Sequence, residues 1–227
     1  MITDPFELSE RFPAAFRYLI EMFLYDREKA QVVPSAIARH LGVTPAAVTQ
    51  SLHRLERNEI ITRHPVRGFS LTEPGLELAR RTISRHYLVE RMLVDTLDVP
   101  WDVADQEAEY LQRSLTTRME EILRERLGHP QICPHGNPFP GSPREAEILS
   151  APPISTVAEG STVRLVRVTE RGEVVPGLLS FCVNHQVRIG DPLVVSAPEG
   201  EFLPVTLSGD RRIDIPQEFA PYIRVSP

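Results

Sequence analysis

At 227 residues the chain is long enough for two or three modules, and charged residues interrupt every apolar run well before the ~18 residues a membrane helix needs. The formal charge of −6 excludes a broadly basic, nucleic-acid-coating surface. Residues 31–70 nevertheless carry five arginines against Glu56 and Glu59, a local balance of +3 that leaves −9 on the remainder. That asymmetry predicts a DNA-facing end attached to an acidic body able to hold cations. Two cysteines, Cys133 and Cys182, are too few for a disulfide framework, so reduced thiols are expected. The opening MITDPFELSERFP lacks the basic and apolar regions of a secretory signal, which makes the cytoplasm the expected location.

Between Phe12 and Tyr25, apolar residues recur at Phe16, Leu19, Ile20 and Phe23, the spacing of an amphipathic core helix. Pro34 to Leu41 reads as a short helix stopped by Gly42. Thr44 then caps a second helix that starts at Pro45 and runs to Arg57. In that helix Val48, Leu52 and Leu55 face inward, while Thr49, Gln50, His53 and Arg54 face out, the grammar of a helix-turn-helix. Ile60–Arg63 and Gly68–Leu71 bracket a turn containing Pro65, predicting a hairpin wing. Thr72 caps a long helix from Pro74 to about Leu97, and another is predicted over Val103–Leu127, ending at Gly128. Two long antiparallel helices make a plausible dimerisation unit. Residues 129–153, rich in proline and glycine, read as loop and linker. Short β-branched runs follow at Ser161–Val168, Gly177–Val183, Pro192–Val195, Phe202–Leu207 and Arg212–Ile215, separated by turn residues, predicting a small β-barrel.

The stretches IARHLGVTPAAVTQSLHRLERNEII, LTEPGLELARRTISRHYLVERML and RLGHPQICPHGNPFPG, followed by IGD near the C-terminus, resemble the diphtheria-toxin-repressor family, particularly its manganese-sensing branch, over essentially the whole chain. The resemblance implies a mainly α fold ending in a β-barrel. Its modules are a winged helix-turn-helix over 1–72, a helical dimerisation and metal-binding domain over 73–144, a linker over 145–157 and an SH3-like or FeoA-like barrel over 158–227.

His86 and Glu90 lie four residues apart on one helical face and can converge on one ion, although a solvated pair has the same spacing. Cys133-Pro134-His135 sets a thiolate and an imidazole donor in a proline-stiffened loop. The same Cys133 read alone is equally a buried structural thiol or a redox sensor. The resemblance implies that Glu170 brings a carboxylate from the barrel to the same metal, where relatives use aspartate. It also sets Asp105 where relatives present histidine, a position that a helix N-terminal acid would also favour. A second family site falls at Ala14, Glu109, Gln112 and Arg113, which retain one anionic donor, so a single dependable site is expected. The expected set is Glu90, Cys133, His135 and Glu170, with His86 and Asp105 contributing to it or to a neighbouring site. Ligand chemistry leaves manganese, ferrous iron and zinc open. The resemblance selects Mn2+, with Fe2+ the alternative and Zn2+ able to substitute in vitro.

For DNA, the start of the recognition helix supplies Thr44, Ala46, Ala47, Thr49 and Gln50 to base edges. Arg54, Arg57, Arg63 and Arg67 are assigned to phosphates, a solvated face being the alternative. The expected function is a metal-activated repressor that binds an inverted-repeat operator as a homodimer, with no membrane and no small-molecule substrate. A regulator with permanent structural zinc and a thiol redox sensor at Cys133 remain as alternatives. No P-loop, dinucleotide fingerprint, nucleophile elbow or HExxH motif points to an enzyme.

Overall fold

The computed structural model describes residues 2, 4–27, 34–64 and 68–227. The chain divides into two compact units, Met1–His86 with Glu109–Ile122, and Tyr87–Ala108 with Leu123–Pro227.

The first unit holds the winged helix. Helices α1 (Pro5–Arg11), α2 (Pro13–Arg27), α3 (Pro34–His40) and α4 (Pro45–Arg57) precede a hairpin of β1 (Ile61–His64) and β2 (Gly68–Leu71). The helix starts follow from local chemistry. Asp4 caps α1 by accepting from the Phe6 N–H, and Thr44 caps α4 by accepting from the Ala47 N–H, with Pro45 supplying a preset φ. α4 packs against α2, α3 and β1. It buries Val48, Leu52 and Leu55, while Phe16, Leu19, Met22 and Phe23 of α2 are also buried. β1 and β2 pair antiparallel from Ile61 with Leu71 to His64 with Gly68. The expected Pro65 turn lies outside the described residues.

Helix α5 (Glu73–Leu97) starts where the Thr72 hydroxyl accepts from the Gly75 N–H. The single helix expected over Val103–Leu127 is instead α6 (Trp101–Leu111), a 3-10 turn (Gln112–Ser114) and α7 (Thr117–Arg126). Leu115 is extended, and the Thr116 hydroxyl accepts from the Met119 N–H, so a cap interrupts what apolar spacing read as continuous. Within the expected 145–157 linker lies a short helix, α8 (Glu145–Ser150).

In the second unit, β3 (Thr162–Val168), β4 (Pro192–Val195), β5 (Phe202–Leu207), β6 (Arg211–Pro216) and β7 (Ile223–Ser226) form one antiparallel sheet in the order β6-β5-β4-β3-β7. Its pairing runs from β6 at one edge to β7 at the other. Two helices interrupt the strands: α9 (Glu170–Glu173), capped by Thr169, and α10 (Leu178–Asn184). α10 corrects the strand expected at Gly177–Val183. Leu178, Leu179 and Cys182 are buried at helical spacing in a core with Val163, Leu165, Val168, Leu193 and Val205. β7 was absent from the expected runs, although its burial alternates as a half-buried strand should.

Candidate metal centre

The site grows from the loop after α7. The seven residues Cys133–Phe139 are all buried. The Cys133 N–H donates to the Asn137 carbonyl (2.8 Å) and the Gly136 N–H to the Cys133 carbonyl (3.0 Å), closing a tight turn. Gly136 has φ +89°, and a Cβ there would stand 2.2 Å from the Val166 carbonyl oxygen, so only glycine lets the loop lie on β3. The Val168 N–H then donates to the His135 carbonyl (2.9 Å), fastening the loop to the strand. At the loop's entrance, Arg91 of α5 donates through Nε to the Ile132 carbonyl (2.9 Å).

This seating brings the side chains of Glu90, Cys133 and His135 together, with one donor atom of each within 4.8 Å of the others. All three are 0% exposed. His135 Nδ1 lies 3.2 Å from Glu90 Oε1, 3.1 Å from Glu173 Oε1 and 3.9 Å from Cys133 Sγ. His135 Nε2 is buried with no hydrogen-bond partner among the described residues. The Trp101 ring meets the imidazole edge to face at 5.2 Å.

Glu173, which the sequence reading did not single out, thus brings a carboxylate to His135 Nδ1, while Glu170 is the residue expected to do so. Both stand on α9, one turn apart. The Glu170 carboxylate accepts from the Tyr87 hydroxyl (2.6 Å) and from Arg167 Nη1 (3.0 Å), so its charge is already answered by a guanidinium. A β-bulge at Leu165–Arg167 sets that arginine: beyond it Val168 enters the sheet core, while Arg167, 2% exposed, reaches Glu170 and Asn137. The signal available in sequence was the i,i+3 spacing of Arg167 and Glu170.

Asp105 of α6 is half-buried and, with Asp102, Glu173 and Ser180, lines a cleft of about 260 Å3. His86 is buried on α5, one turn before Glu90. At the second family position, Glu109 accepts from Arg113 Nη2 (2.6 Å) and Gln112 Nε2 (2.7 Å), and Ala14 is exposed. A guanidinium of the chain itself holds the one remaining carboxylate.

Protonation in the cluster is strained in the direction that suits a cation. Burial pushes the Cys133 thiol up to about 12, and the Glu90 charge adds to it. Burial likewise lifts Glu173 to about 7 against the pull of His135. Burial alone would lower His135, but the Glu90 and Glu173 carboxylates outweigh it and hold the imidazole well above its usual value. A divalent ion would replace the protons these groups share. Metal–ligand bonds of about 2.0–2.3 Å imply ligand–ligand separations of about 3–3.6 Å. The two carboxylate oxygens, 3.1 and 3.2 Å from His135 Nδ1, fall in that range, and Cys133 Sγ at 3.9 Å stands a few tenths of an ångström beyond it. A fully buried thiol with a raised pKa is, by contrast, a poor redox sensor.

On the winged helix, Thr44, Ala46, Thr49, Gln50, Arg54, Arg57 and Arg63 are exposed and Ala47 is half-buried. The Thr44 oxygen is taken by the cap and the Thr49 hydroxyl donates to the Pro45 carbonyl, leaving their methyl groups for apolar contact. Arg67 lies outside the described residues.

Residues 17–69 match the family described as "Iron dependent repressor, N-terminal DNA binding domain", and residues 72–141 match "Iron dependent repressor, metal binding and dimerisation domain". The chain is 28% identical over 219 residues to the iron-dependent repressor IdeR of Mycobacterium tuberculosis, covering 90% of this chain and 95% of that protein. It is 25% identical over 218 residues to the diphtheria toxin repressor of Corynebacterium diphtheriae, with the same coverage. Among solved structures, the fold is similar to the manganese regulator SloR, at TM-score 0.72 and 22% identity over 100% of this chain and 99% of that one. It is also similar to a manganese-dependent transcriptional repressor in complex with manganese, at TM-score 0.74 and 24% identity over 86% and 90%. Among the described residues, no helix is long and apolar enough to cross a membrane.

Proposed function

The chain belongs to the iron-dependent repressor family of metal-dependent, DNA-binding transcriptional regulators, and we propose that it is a manganese-responsive repressor whose sensing site is Glu90, Cys133, His135 and Glu173. The observation that carries this reading is the convergence of three buried donors from α5 and the Cys133–Phe139 loop, Glu90, Cys133 and His135, with Glu173 of α9 set 3.1 Å from His135 Nδ1. Buried ionisable groups are retained against a desolvation penalty when they are paired or bind a metal. Bound there, the ion would act as an electrostatic crosslink between those segments. Glu90 presents its carboxylate from a regular helix, and the proline-flanked loop presents the Cys133 thiolate and His135 Nδ1 with little freedom left to lose. Glu173 closes the set from the sheet domain. His86 and Asp105 are assigned to an adjoining position.

Two carboxylates and an imidazole suit Mn2+ or Fe2+, while the thiolate favours softer ions and the Irving–Williams order favours Zn2+. The relatives include both iron and manganese regulators by name. Metal availability and the geometry each ion enforces would then set the response. On DNA, Gln50 suits adenine and the exposed arginines suit phosphate. A homodimer would place two recognition helices on an inverted repeat with half-sites ~34 Å apart.

The deciding experiment is an operator-binding titration in chelator, Mn2+, Fe2+ and Zn2+. Reversible tightening by Mn2+ at the lowest free concentration supports the proposal. Tight binding that survives chelation after one loading with Zn2+ would instead establish a structural site, a reading the buried thiol and imidazole favour.

A further inference from the structure

We infer that Asn137 is a positioning residue that aims the Glu173 carboxylate at the metal centre, and that Arg167, Glu170 and Tyr87 exist in this chain to hold Asn137 in that role. The inference rests on Glu173 belonging to the donor set.

Asn137 is 0% exposed, and its side-chain amide has both faces committed. Nδ2 donates to the Val168 carbonyl (2.8 Å) and to Glu173 Oε1 (2.7 Å), while Oδ1 accepts from Arg167 Nη1 (3.0 Å). The opposite amide orientation would turn the oxygen toward a carbonyl and a carboxylate and the NH2 toward a guanidinium. One orientation is therefore enforced. The oxygen of Glu173 held by Asn137 is also the one 3.1 Å from His135 Nδ1, so the amide fixes the rotation of the carboxylate relative to the imidazole.

Arg167 is fixed in turn. Its Nη1 is shared between Asn137 and Glu170 Oε2 (3.0 Å), and the other oxygen of Glu170 accepts from the Tyr87 hydroxyl (2.6 Å). Tyr87, one turn before Glu90 on α5, itself packs edge to face on Phe139 at 5.3 Å. The chain of contacts thus starts on the helix that carries Glu90 and ends on the carboxylate opposite it. Every link but the last, from Asn137 to Glu173, is fully buried, where a lost partner leaves an unsatisfied polar group. Glu170 is in this view the counter-ion of Arg167.

Metal affinity of Asn137→Asp and Asn137→Ser should be compared with wild type by competition against a chelator, for Mn2+ and Zn2+ separately. Replacing an outer-shell partner costs ~10- to 100-fold in metal affinity. Mn2+ depends on oxygen donors more than Zn2+, which keeps Cys133 and His135. The Mn2+ loss should therefore exceed the Zn2+ loss, a change of selectivity that general destabilisation would not produce. Glu170→Gln should shift selectivity in the same direction by less. With Co2+ as a probe, the sulfur-to-metal charge-transfer band of Cys133 should persist in both Asn137 variants while the ligand-field bands change. Thermal melts identify which variants fold, and either folded Asn137 variant with wild-type Mn2+ and Zn2+ affinities overturns the inference. Glu173→Gln separates the two levels. If it binds Mn2+ as wild type does, the donor set itself is wrong. If it loses Mn2+ while the Asn137 variants do not, only the positioning role fails.

Discussion

Gly136→Ala tests whether the metal centre depends on the Cys133–Phe139 loop being seated on β3. The added methyl would stand 2.2 Å from the Val166 carbonyl oxygen and 2.9 Å from the Arg167 Cα, both backbone atoms that cannot swing aside. A φ of +89° adds about 1–2 kcal/mol of strain for an L-residue. The loop relieves the clash by leaving the strand, which breaks the bond from the Val168 N–H to the His135 carbonyl and leaves buried groups unpaired, about 1–3 kcal/mol more. If metal binding must reseat the loop, these costs subtract from affinity. About 2–5 kcal/mol at 1.4 kcal/mol per decade corresponds to roughly 30- to 3000-fold weaker binding. Gly141→Ala is the control: its φ is +79°, but a Cβ there meets nothing within 4 Å, so it should share the strain and spare the metal. Competition titrations with Mn2+ and Zn2+ on both variants give the measurement. A Gly136→Ala protein that binds both ions within about twofold of wild type would refute the reasoning that loop seating builds the site.

Cys133→Ala, His135→Ala and Glu90→Ala should each abolish the metal response of operator binding while leaving the folded protein and weak nonspecific binding, a loss of roughly 5- to 150-fold. Fluorescence anisotropy with and without Mn2+ reads it, and an intact response in all three removes the site. Gln50→Ala should change base preference, whereas Arg54→Ala should weaken all sequences about equally and flatten the salt dependence; competition among operator variants at several salt concentrations tells them apart. Burial would raise Asp4, but hydrogen bonds from Thr117 and the Phe6 N–H and the charges of Arg85 and Arg81 prevail, holding its pKa below the usual value. Its contribution to stability is therefore present above the ordinary carboxylate range and lost as pH falls through it to the lowered value. Thermal melts should show Asp4→Asn losing less stability than wild type on acidification, and identical pH dependence would discount the pairing.

The winged helix was legible because its punctuation is local: Gly42 ends one helix, Thr44 and Pro45 start the next, and the apolar spacing agrees with both. The misreadings arose where tertiary context decides. LLSFCVN is a short apolar run that suits a buried strand or a buried helix, and only its place against the sheet core selects α10. The break after α6 hangs on the Thr116 hydroxyl accepting from the Met119 N–H, weaker in sequence than the apolar rhythm running through it. Cys133 and His135 could be picked out because they sit two residues apart in a stiff loop. The sequence reading named Glu170 and passed over Glu173 one helical turn away, and only the folded position of Arg167, 3.0 Å from Glu170, distinguishes the two carboxylates.

The donors are far apart along the chain. Glu90 and Glu173 stand on the same pair of helices as Tyr87 and Glu170, which are 83 residues apart in sequence. During synthesis at about 5–20 residues per second, roughly 4–17 s separate the emergence of the first carboxylate from that of the last. Until α9 has folded onto the sheet domain, a nascent chain offers an ion at most a carboxylate, a thiol and an imidazole on an unanchored loop. If these groups are the donors, high-affinity capture would be a property of the finished protein, and metal would stabilise the native state by mass action without templating it. Such a chain would accumulate as an apo-protein in scarcity and begin to report abundance only once complete.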